Sequence, residues 1–142
     1  MWLLGESCTM ESLQEISFEI RLKELRWKFE QAWCKQTCLY FGNYDPNHKS
    51  RGQCFVTALC VRDMLGGEII EGSVDCSTHF WNKTKNGQEI DLTSDQFEGG
   101  DGLHPHERRK YWCKRINPNL KNKRYLLLKK RIEQTEDLNR TS

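Results

Sequence analysis

The segment from Cys54 to Leu65 places the strongest constraint on the fold. Its apolar residues occupy more than one side of a helix, a pattern typical of a helix buried in the middle of a domain. Gly66-Gly67 follows it, and glycine readily takes the left-handed conformation at which helices end. The stretch before it, 42–48, is dense in turn-forming residues. The sequence therefore predicts a central helix that begins at Cys54 and ends at Leu65.

Strand patterns follow this helix. The segments Glu68–Val74, Thr78–Lys83 and Gln88–Leu92 are predicted to be strands. The stretch Lys85-Asn86-Gly87 is predicted to form the hairpin turn between the last two of them. A helix followed by antiparallel strands indicates an α+β fold, with the Cys54 helix packed on a small antiparallel sheet.

The length of the hairpin turn decides which side chains share a face of the sheet. A two-residue turn would set His79 opposite Ser94 and direct Asp91 to the other face. A three-residue turn with Gly87 in the left-handed position would instead set His79 opposite Thr93. Asp91 would then lie diagonally to His79 on the same face, with about 7–8 Å between their Cβ atoms. The pattern alone leaves both registers open.

Helices are predicted on both sides of this unit. Apolar residues at helical spacing predict a helix from about Lys23 to Thr37, and a closing helix from Tyr125 to Ile132. The segment just before Lys23 is left open between helix and strand, because its apolar residues alternate: Ile16, Phe18, Ile20 and Leu22.

The length of the chain fits one ordinary domain. At 142 residues and 16.8 kDa it is large enough for a single core and too small for two. We expect a single domain over residues 1–142, with a loose N-terminal arm at 1–12, a globular core at 13–133 and a flexible tail at 134–142.

Cys54 is the first candidate for chemistry. A cysteine at a helix N-terminus lies beside unpaired backbone N–H groups and the positive end of the helix dipole, which both stabilise a thiolate. The same N–H groups can donate to an oxyanion that forms on an attacked carbonyl. A nucleophile and part of its oxyanion hole would thus arise from one local structure.

Two strand residues can complete this site. His79 is predicted on one strand of the hairpin, and an imidazole exchanges protons near neutral pH. Asp91, on the next strand, can hold and orient that imidazole. A buried cysteine at a helix start is more often a small core residue than a nucleophile, so the interpretation depends on all three residues occurring in this order.

These segments resemble known families. Gly52-Gln53-Cys54-Phe55-Val56, His79-Phe80-Trp81 and Ile90-Asp91-Leu92-Thr93 are similar to the nucleophile, His-x-Trp and Asp-x-Thr segments of transglutaminases. A longer resemblance, from roughly Ala32 to Ile132, is to the small bacterial YunG-like proteins. The segments that carry it are Gly52-Gln53-Cys54, Thr57-Ala58-Leu59, Gly66-Gly67-Glu68-Ile69, His79-Phe80-Trp81-Asn82, Glu89-Ile90-Asp91-Leu92-Thr93, Gln96-Phe97 and Arg124-Tyr125-x-Leu127-Leu128.

The resemblance implies a compact papain-like or transglutaminase-like fold with a catalytic Cys54-His79-Asp91 triad. It implies a mechanism class rather than a particular reaction. Calcium-dependent protein crosslinking is not carried over, because the chain is much shorter than animal transglutaminases and lacks their accessory domains.

Further residues are expected near the site. Gln53 and Tyr44 are predicted to line the substrate or oxyanion region, together with His48 from the same loop. Trp81 is expected to be a core aromatic residue and a wall of the site. Asn82 is a candidate second orienting group, although solvation on an edge strand explains it as well.

We predict no metal site and no cofactor. Candidate zinc ligands do occur at Cys34, Cys38, His104, His106 and Cys113, but their spacing is not that of a standard zinc finger. The seven cysteines are odd in number and form no compact disulfide framework, which favours a reducing, cytoplasmic location. The N-terminus lacks the features of a signal peptide, and no apolar stretch reaches the ~20 residues of a membrane helix.

Charge leaves two classes of function open. Lys and Arg outnumber Asp and Glu by only 22 to 20, far from the excess of a dedicated nucleic-acid binder. The first hypothesis is a thiol-dependent enzyme acting on protein or peptide amide bonds by hydrolysis, deamidation or acyl transfer. The alternative is a non-catalytic binding or inhibitor module, whose basic C-terminal third grips an acidic protein or a nucleic acid.

Overall fold

A computed structural model describes residues 9–39, 41–115 and 122–141. It is a mixed α+β structure of three α-helices and one antiparallel sheet. The elements occur in the order α1 (Met10–Ala32), α2 (Cys54–Leu65), β1 (Glu68–Val74), β2 (Ser77–Lys83), β3 (Glu89–Ile90), β4 (Lys110–Arg115) and α3 (Lys123–Thr141). Short 3-10 turns lie at Lys35–Thr37, Phe41–Asn43 and Ser94–Gln96.

The central helix has the predicted boundaries. It runs from Cys54 to Leu65 and ends at Gly66, whose φ of 74° is in the left-handed region. The N–H of Gly66 donates to the carbonyl of Arg62 at 2.8 Å and closes the last turn. One side chain fastens this helix to the sheet, since Nδ2 of Asn82 on β2 donates to the carbonyl of Ala58 at 2.9 Å.

The sheet has the strand order β3-β2-β1-β4. β1 and β2 are joined by a two-residue turn, and the register pairs Gly72 with His79. Gly72 is required there, because a Cβ atom at this position would lie 2.3 Å from the Lys110 carbonyl oxygen and 2.4 Å from the Trp81 ring. The fourth strand, Lys110–Arg115, is absent from the sequence-based prediction.

The β2–β3 hairpin has the three-residue turn. Asn82 pairs with Ile90 and Lys83 with Glu89, and Gly87 has a φ of 84°. The N–H of Thr84 donates to the carbonyl of Gln88 at 2.7 Å, which leaves residues 85–87 in the loop. This register places His79 and Asp91 on one face. The paired part of β3 is only Glu89–Ile90, shorter than the predicted Gln88–Leu92.

α1 differs from the prediction at both ends. It begins at Met10, where the Thr9 side chain caps it by accepting from the N–H of Ser12 at 3.0 Å, and it ends at Ala32 rather than Thr37. Residues 10–12, assigned to the arm, are therefore helical, whereas residues 1–8 lie outside the described part of the chain. The alternating apolar residues belong to two faces of one helix. Leu22 is buried and Phe18 packs against the core, while Ile16 and Ile20 are exposed.

α3 is longer than predicted. It covers Lys123–Thr141 and so includes residues that the sequence assigns to the tail. Tyr125, Leu128 and Ile132 form its buried stripe and join the core cluster formed by α1, α2 and the inner face of the sheet. Among the described residues, no helix combines the length and apolar character that crossing a membrane requires.

Candidate active site

Cys54 is the first residue of α2, and its side chain is half-buried. The first backbone bond of the helix runs from the N–H of Thr57 to the carbonyl of Gln53 at 3.0 Å. The N–H groups at positions 54–56 therefore have no acceptor within the helix. Together with the helix dipole they favour negative charge beside the Cys54 sulfur.

His79 and Asp91 form a buried pair next to this helix. Nε2 of His79 lies 2.6 Å from Oδ2 of Asp91, and the two side chains are only 1% and 2% exposed. The other carboxylate oxygen, Oδ1, accepts from both the backbone N–H and the hydroxyl of Thr93, each at 3.1 Å. Asp91 thus has every oxygen occupied, and it holds one nitrogen of the imidazole in place.

His79 also interacts with Cys54. Burial alone would lower the pKa of His79, but hydrogen bonds to Asp91 and to Cys54, with the negative charge of both partners, outweigh it and raise that pKa to about 10. Because Asp91 occupies Nε2, the nitrogen left for the Cys54 sulfur is Nδ1. The structure therefore brings the three predicted residues together, and of the three only Cys54 is half-buried and not fully buried.

Two residues that were assigned no role from the sequence also hold this site. Thr93 anchors Asp91 as described, and Nε2 of Gln96 lies 3.2 Å from Nδ1 of His79. The Asp91-x-Thr93 spacing and the Gln96-Phe97 segment were part of the family resemblance. A carboxylate followed two residues later by a hydroxyl could have predicted the Thr93 contact, but nothing local predicts that of Gln96.

Aromatic rings enclose the imidazole. The Trp81 ring stacks on it with 5.9 Å between centroids, and Phe97 meets it edge-on at 5.0 Å. Trp81 is itself fixed by a hydrogen bond from Nε1 to Glu89 at 2.9 Å. Trp81 is therefore a buried wall of the site. The rings exclude water from the His79–Asp91 pair, which strengthens the attraction between the two.

The other predicted site residues lie differently. The buried Gln53 amide accepts from Thr37 at 2.8 Å and donates to the Cys34 carbonyl at 3.1 Å, so its side chain fixes the loop before Cys54 instead of facing the sulfur. Asn82 is buried and bonded to α2, so the edge-strand interpretation is wrong, because β2 lies between β1 and β3.

Within the described part of the chain, no hydrogen bond or ion pair joins the loop residues Tyr44 and His48 to Cys54, His79 or Asp91. Burial and the nearby Cys34 raise the pKa of Tyr44, and its remaining electrostatic neighbours are Arg131, Cys38 and Asp45. His48 is exposed, with backbone bonds to Asp45 and Arg51.

The candidate zinc ligands are engaged elsewhere or lie outside the description. His104 bridges Glu19 and Asp101 at 2.6 and 2.7 Å. Nε2 of His106 lies 2.8 Å from the Glu98 carbonyl oxygen, and its Nδ1 accepts from a backbone N–H. No group of three or more potential metal ligands occurs within residues 9–39, 41–115 and 122–141, and the Cys113 side chain is outside the described set.

The basic C-terminal third has internal partners where it is described. Nε of Arg131 donates to the Ala32 carbonyl, and Lys129 lies 3.9 Å from Asp63. Three acidic residues, Glu133, Glu136 and Asp137, follow Lys129, Lys130 and Arg131 along α3. Glu136 pairs with Lys28 of α1 at 3.3 Å. These contacts direct part of the basic charge into the domain.

Comparison with known proteins gives one consistent relationship. A family model described as YunG protein matches residues 21–137. The "Uncharacterized protein YunG" of Bacillus subtilis (strain 168) is 36% identical over 77 residues, which are 54% of this chain and 64% of that protein. The match thus spans slightly less than two thirds of the relative's length. No solved structure matches the chain.

Proposed function

The chain belongs to the YunG protein family, and we propose that it is a thiol-dependent enzyme acting on amide bonds through Cys54, His79 and Asp91. The observation that carries this proposal is the geometry at His79. Its Nε2 is 2.6 Å from the Asp91 carboxylate, which is buried and bonded through both oxygens. This leaves Nδ1 for the hydrogen bond between His79 and the half-buried Cys54.

The reaction follows from these positions. The Cys54 sulfur attacks the carbonyl carbon of an amide, and the thiol proton passes to His79. The oxyanion of the tetrahedral intermediate accepts hydrogen bonds from backbone N–H groups in the first turn of α2. The C–N bond then breaks, His79 returns its proton to the leaving nitrogen, and a thioester remains on Cys54. Water or an amine resolves it, which gives hydrolysis, deamidation or acyl transfer by one path.

The fold and the setting are part of the same proposal. A nucleophile at the start of a helix, with its base and carboxylate on two successive strands of a sheet, supports a papain-like or transglutaminase-like core. Protein or peptide amides are the proposed substrates. The free thiols of Cys34, Cys38, Cys54, Cys60 and Cys76 support a reducing, cytoplasmic compartment.

The direct test is the reactivity of the cysteines towards iodoacetamide, followed residue by residue with mass spectrometry. Two thiols serve as internal references: Cys76 is exposed, and burial raises the pKa of Cys60 to about 12. Cys54 should label roughly tenfold or more faster than Cys76 at pH 6.5, despite its lower exposure. His79→Gln, with folding checked by circular dichroism, should abolish this advantage.

A second measurement asks for the covalent intermediate. With p-nitrophenyl acetate, the wild type should release a burst of nitrophenolate equal to the enzyme concentration and carry one acetyl group on Cys54, whereas Cys54→Ser should not. If Cys54 labels no faster than Cys76 and acetylates no faster either, the enzymatic proposal is wrong.

A further inference from the structure

Arg26 of α1 carries a positive charge in the interior of the domain, where its side chain is only 14% exposed. Nη1 and Nη2 donate to the two oxygens of the Asp95 carboxylate at 2.9 and 2.7 Å. Nη1 also donates to the backbone carbonyls of Leu92 at 2.6 Å and Gly102 at 3.3 Å. Nε and Nη2 donate to Glu30, one turn further along α1. One guanidinium thus connects α1 to three points of the chain after β3.

The segment between these points carries the groups that surround the imidazole. We call residues 92–102 the site loop. It contains three residues that contact His79 or its partner carboxylate, namely Thr93, Gln96 and Phe97. Its regular structure is limited to one 3-10 turn at Ser94–Gln96. A segment with so little regular structure depends on side chains from other elements for its position, and Arg26 binds it at both ends and in the middle.

Arg26 is also connected to the helix that carries Cys54. Its Cζ atom lies 5.0 Å from the centre of the Trp33 ring, which is within the range of a cation–π interaction. Nε1 of the buried Trp33 donates to the hydroxyl of Thr57 at 2.9 Å. The N–H of Thr57 makes the first backbone hydrogen bond of α2, to the carbonyl of Gln53. The same guanidinium therefore joins the first turn of α2 to the site loop.

We propose that Arg26 is a positioning residue, which holds the site loop and the first turn of α2 at the separation that brings the Cys54 sulfur to Nδ1 of His79. This role rests on the proposed function, since it serves the transfer of the thiol proton. A buried charge is costly, and apolar side chains can often replace a buried ion pair without loss of stability. The planar fork of arginine additionally fixes the direction of its acceptors, which apolar packing does not.

Two carboxylates bound to the same nitrogen offer a matched comparison. Asp95 on the site loop and Glu30 on α1 lie 2.7 and 2.8 Å from Nη2 of Arg26. Asp95→Asn and Glu30→Gln each remove one negative charge and keep the size of the side chain. Both variants should lose a similar, small part of the stability measured in urea. Only Asp95→Asn weakens the connection between Arg26 and the site loop, so only this variant should change the environment of the imidazole.

The first measurement follows the imidazole itself. In protein labelled with 15N-histidine, the two ring nitrogens of His79 are identified by their absence in His79→Gln. Their chemical shifts should change in Asp95→Asn, because the site loop sets the contacts of both nitrogens, and should stay at the wild-type values in Glu30→Gln. This measurement requires no reaction at Cys54. Equal spectra for Asp95→Asn and Glu30→Gln overturn the positioning role.

The second measurement is the rate of iodoacetamide labelling of Cys54 relative to Cys76 at pH 6.5. Asp95→Asn should reduce this ratio by about tenfold, because small displacements of reacting groups have large effects on rate, whereas Glu30→Gln should preserve it. Arg26→Lys keeps the charge but lacks the planar fork, so it should resemble Asp95→Asn.

The outcomes separate the two proposals. If wild-type Cys54 labels no faster than Cys76, the proposed function is wrong and the positioning role is wrong with it. If the wild type has this advantage and both Asp95→Asn and Glu30→Gln retain it, only the positioning role is wrong.

Discussion

The amide nitrogen of Gln96 lies 3.2 Å from Nδ1 of His79, the ring nitrogen that Asp91 leaves unoccupied. In this orientation the Gln96 N–H donates to the neutral imidazole and opposes protonation of Nδ1. Gln96 and the Cys54 thiol therefore compete for one lone pair. In the proposed mechanism this makes Gln96 a positioning residue, which acts on Cys54 through His79.

Replacement of Gln96 should speed the labelling of Cys54. In Gln96→Met the donor to Nδ1 of His79 is lost, so His79 accepts the thiol proton more readily and Cys54 should alkylate about threefold faster at pH 6.5, the equivalent of one ordinary hydrogen bond. Gln88→Met, beside the hairpin turn, is the matched control and should leave the labelling rate unchanged. Slower labelling in Gln96→Met would show that the Gln96 oxygen faces the imidazolium instead.

Removal of the Thr93 hydroxyl should loosen the carboxylate that orients His79. Thr93→Val keeps the shape and the backbone N–H bond but loses the hydroxyl bond to Oδ1 of Asp91. We expect a loss of about 1 kcal/mol in the free energy of unfolding, measured in urea, and slower labelling of Cys54 at pH 6.5. Thr93→Ser retains the hydroxyl and should preserve the labelling rate. Equal behaviour of the two variants would contradict this role.

An alanine at position 72 should destabilise the sheet next to His79. The new Cβ atom would overlap both the Lys110 carbonyl and the Trp81 ring, and forced overpacking costs about 1–3 kcal/mol. Thermal unfolding of Gly72→Ala should therefore occur at a lower temperature than in the wild type. The control is Gly42→Ala, where a Cβ atom meets nothing within 4 Å. If both variants melt together, the close approach of β4 and Trp81 to Gly72 is wrong.

The ion pairs of His104 should make stability depend on pH. Burial would lower the pKa of His104, but the hydrogen bonds to Asp101 and Glu19 outweigh it, so that pKa is raised above its ordinary value of 6.5. The stabilisation of the folded state by the ion pairs of His104 is then complete just below pH 6.5, and it is lost as the pH rises through the raised pKa of His104.

His104→Gln should accordingly reduce the free energy of unfolding by about 0.5 kcal/mol at pH 6, a magnitude typical of partly exposed pairs, and have a smaller effect at pH 9. Urea unfolding of both proteins at the two pH values measures this. A larger effect at pH 9 than at pH 6 would contradict it.

Local signals were sufficient for the central helix, because the boundaries of α2 follow from an apolar run and a glycine stop. The hairpin sequence was compatible with a two-residue and a three-residue turn, and the structure has the three-residue turn. That register brings His79 and Asp91 to one face. The same local patterns could not predict β4, because Lys110–Arg115 is charged at both ends, shows no alternation of apolar and polar residues and pairs with a strand far back in the sequence.

The remaining differences have tertiary causes. The start of α1 was predicted at Lys23 and lies at Met10. Its alternating apolar residues lie on two faces of one helix, one buried and one exposed, so the segment before Lys23 lacks the single apolar stripe by which a surface helix is recognised. The side chain of Gln53 was expected at the site, but Thr37 and Cys34 engage it. Gln96 reaches His79 because the chain folds back after β3, and no spacing in the sequence predicts that contact.

The triad comes entirely from the stretch that begins at α2 and ends just after β3. Cys54, His79 and Asp91 are therefore joined by one helix, one two-residue turn and one three-residue turn, with no long excursion of the chain between them. Such a unit needs little loop-closure entropy to assemble. During synthesis on the ribosome, the three side chains can meet before α3 has emerged. Slow synthesis or alteration of α3 should therefore delay the packing of the core more than the meeting of Cys54 with His79.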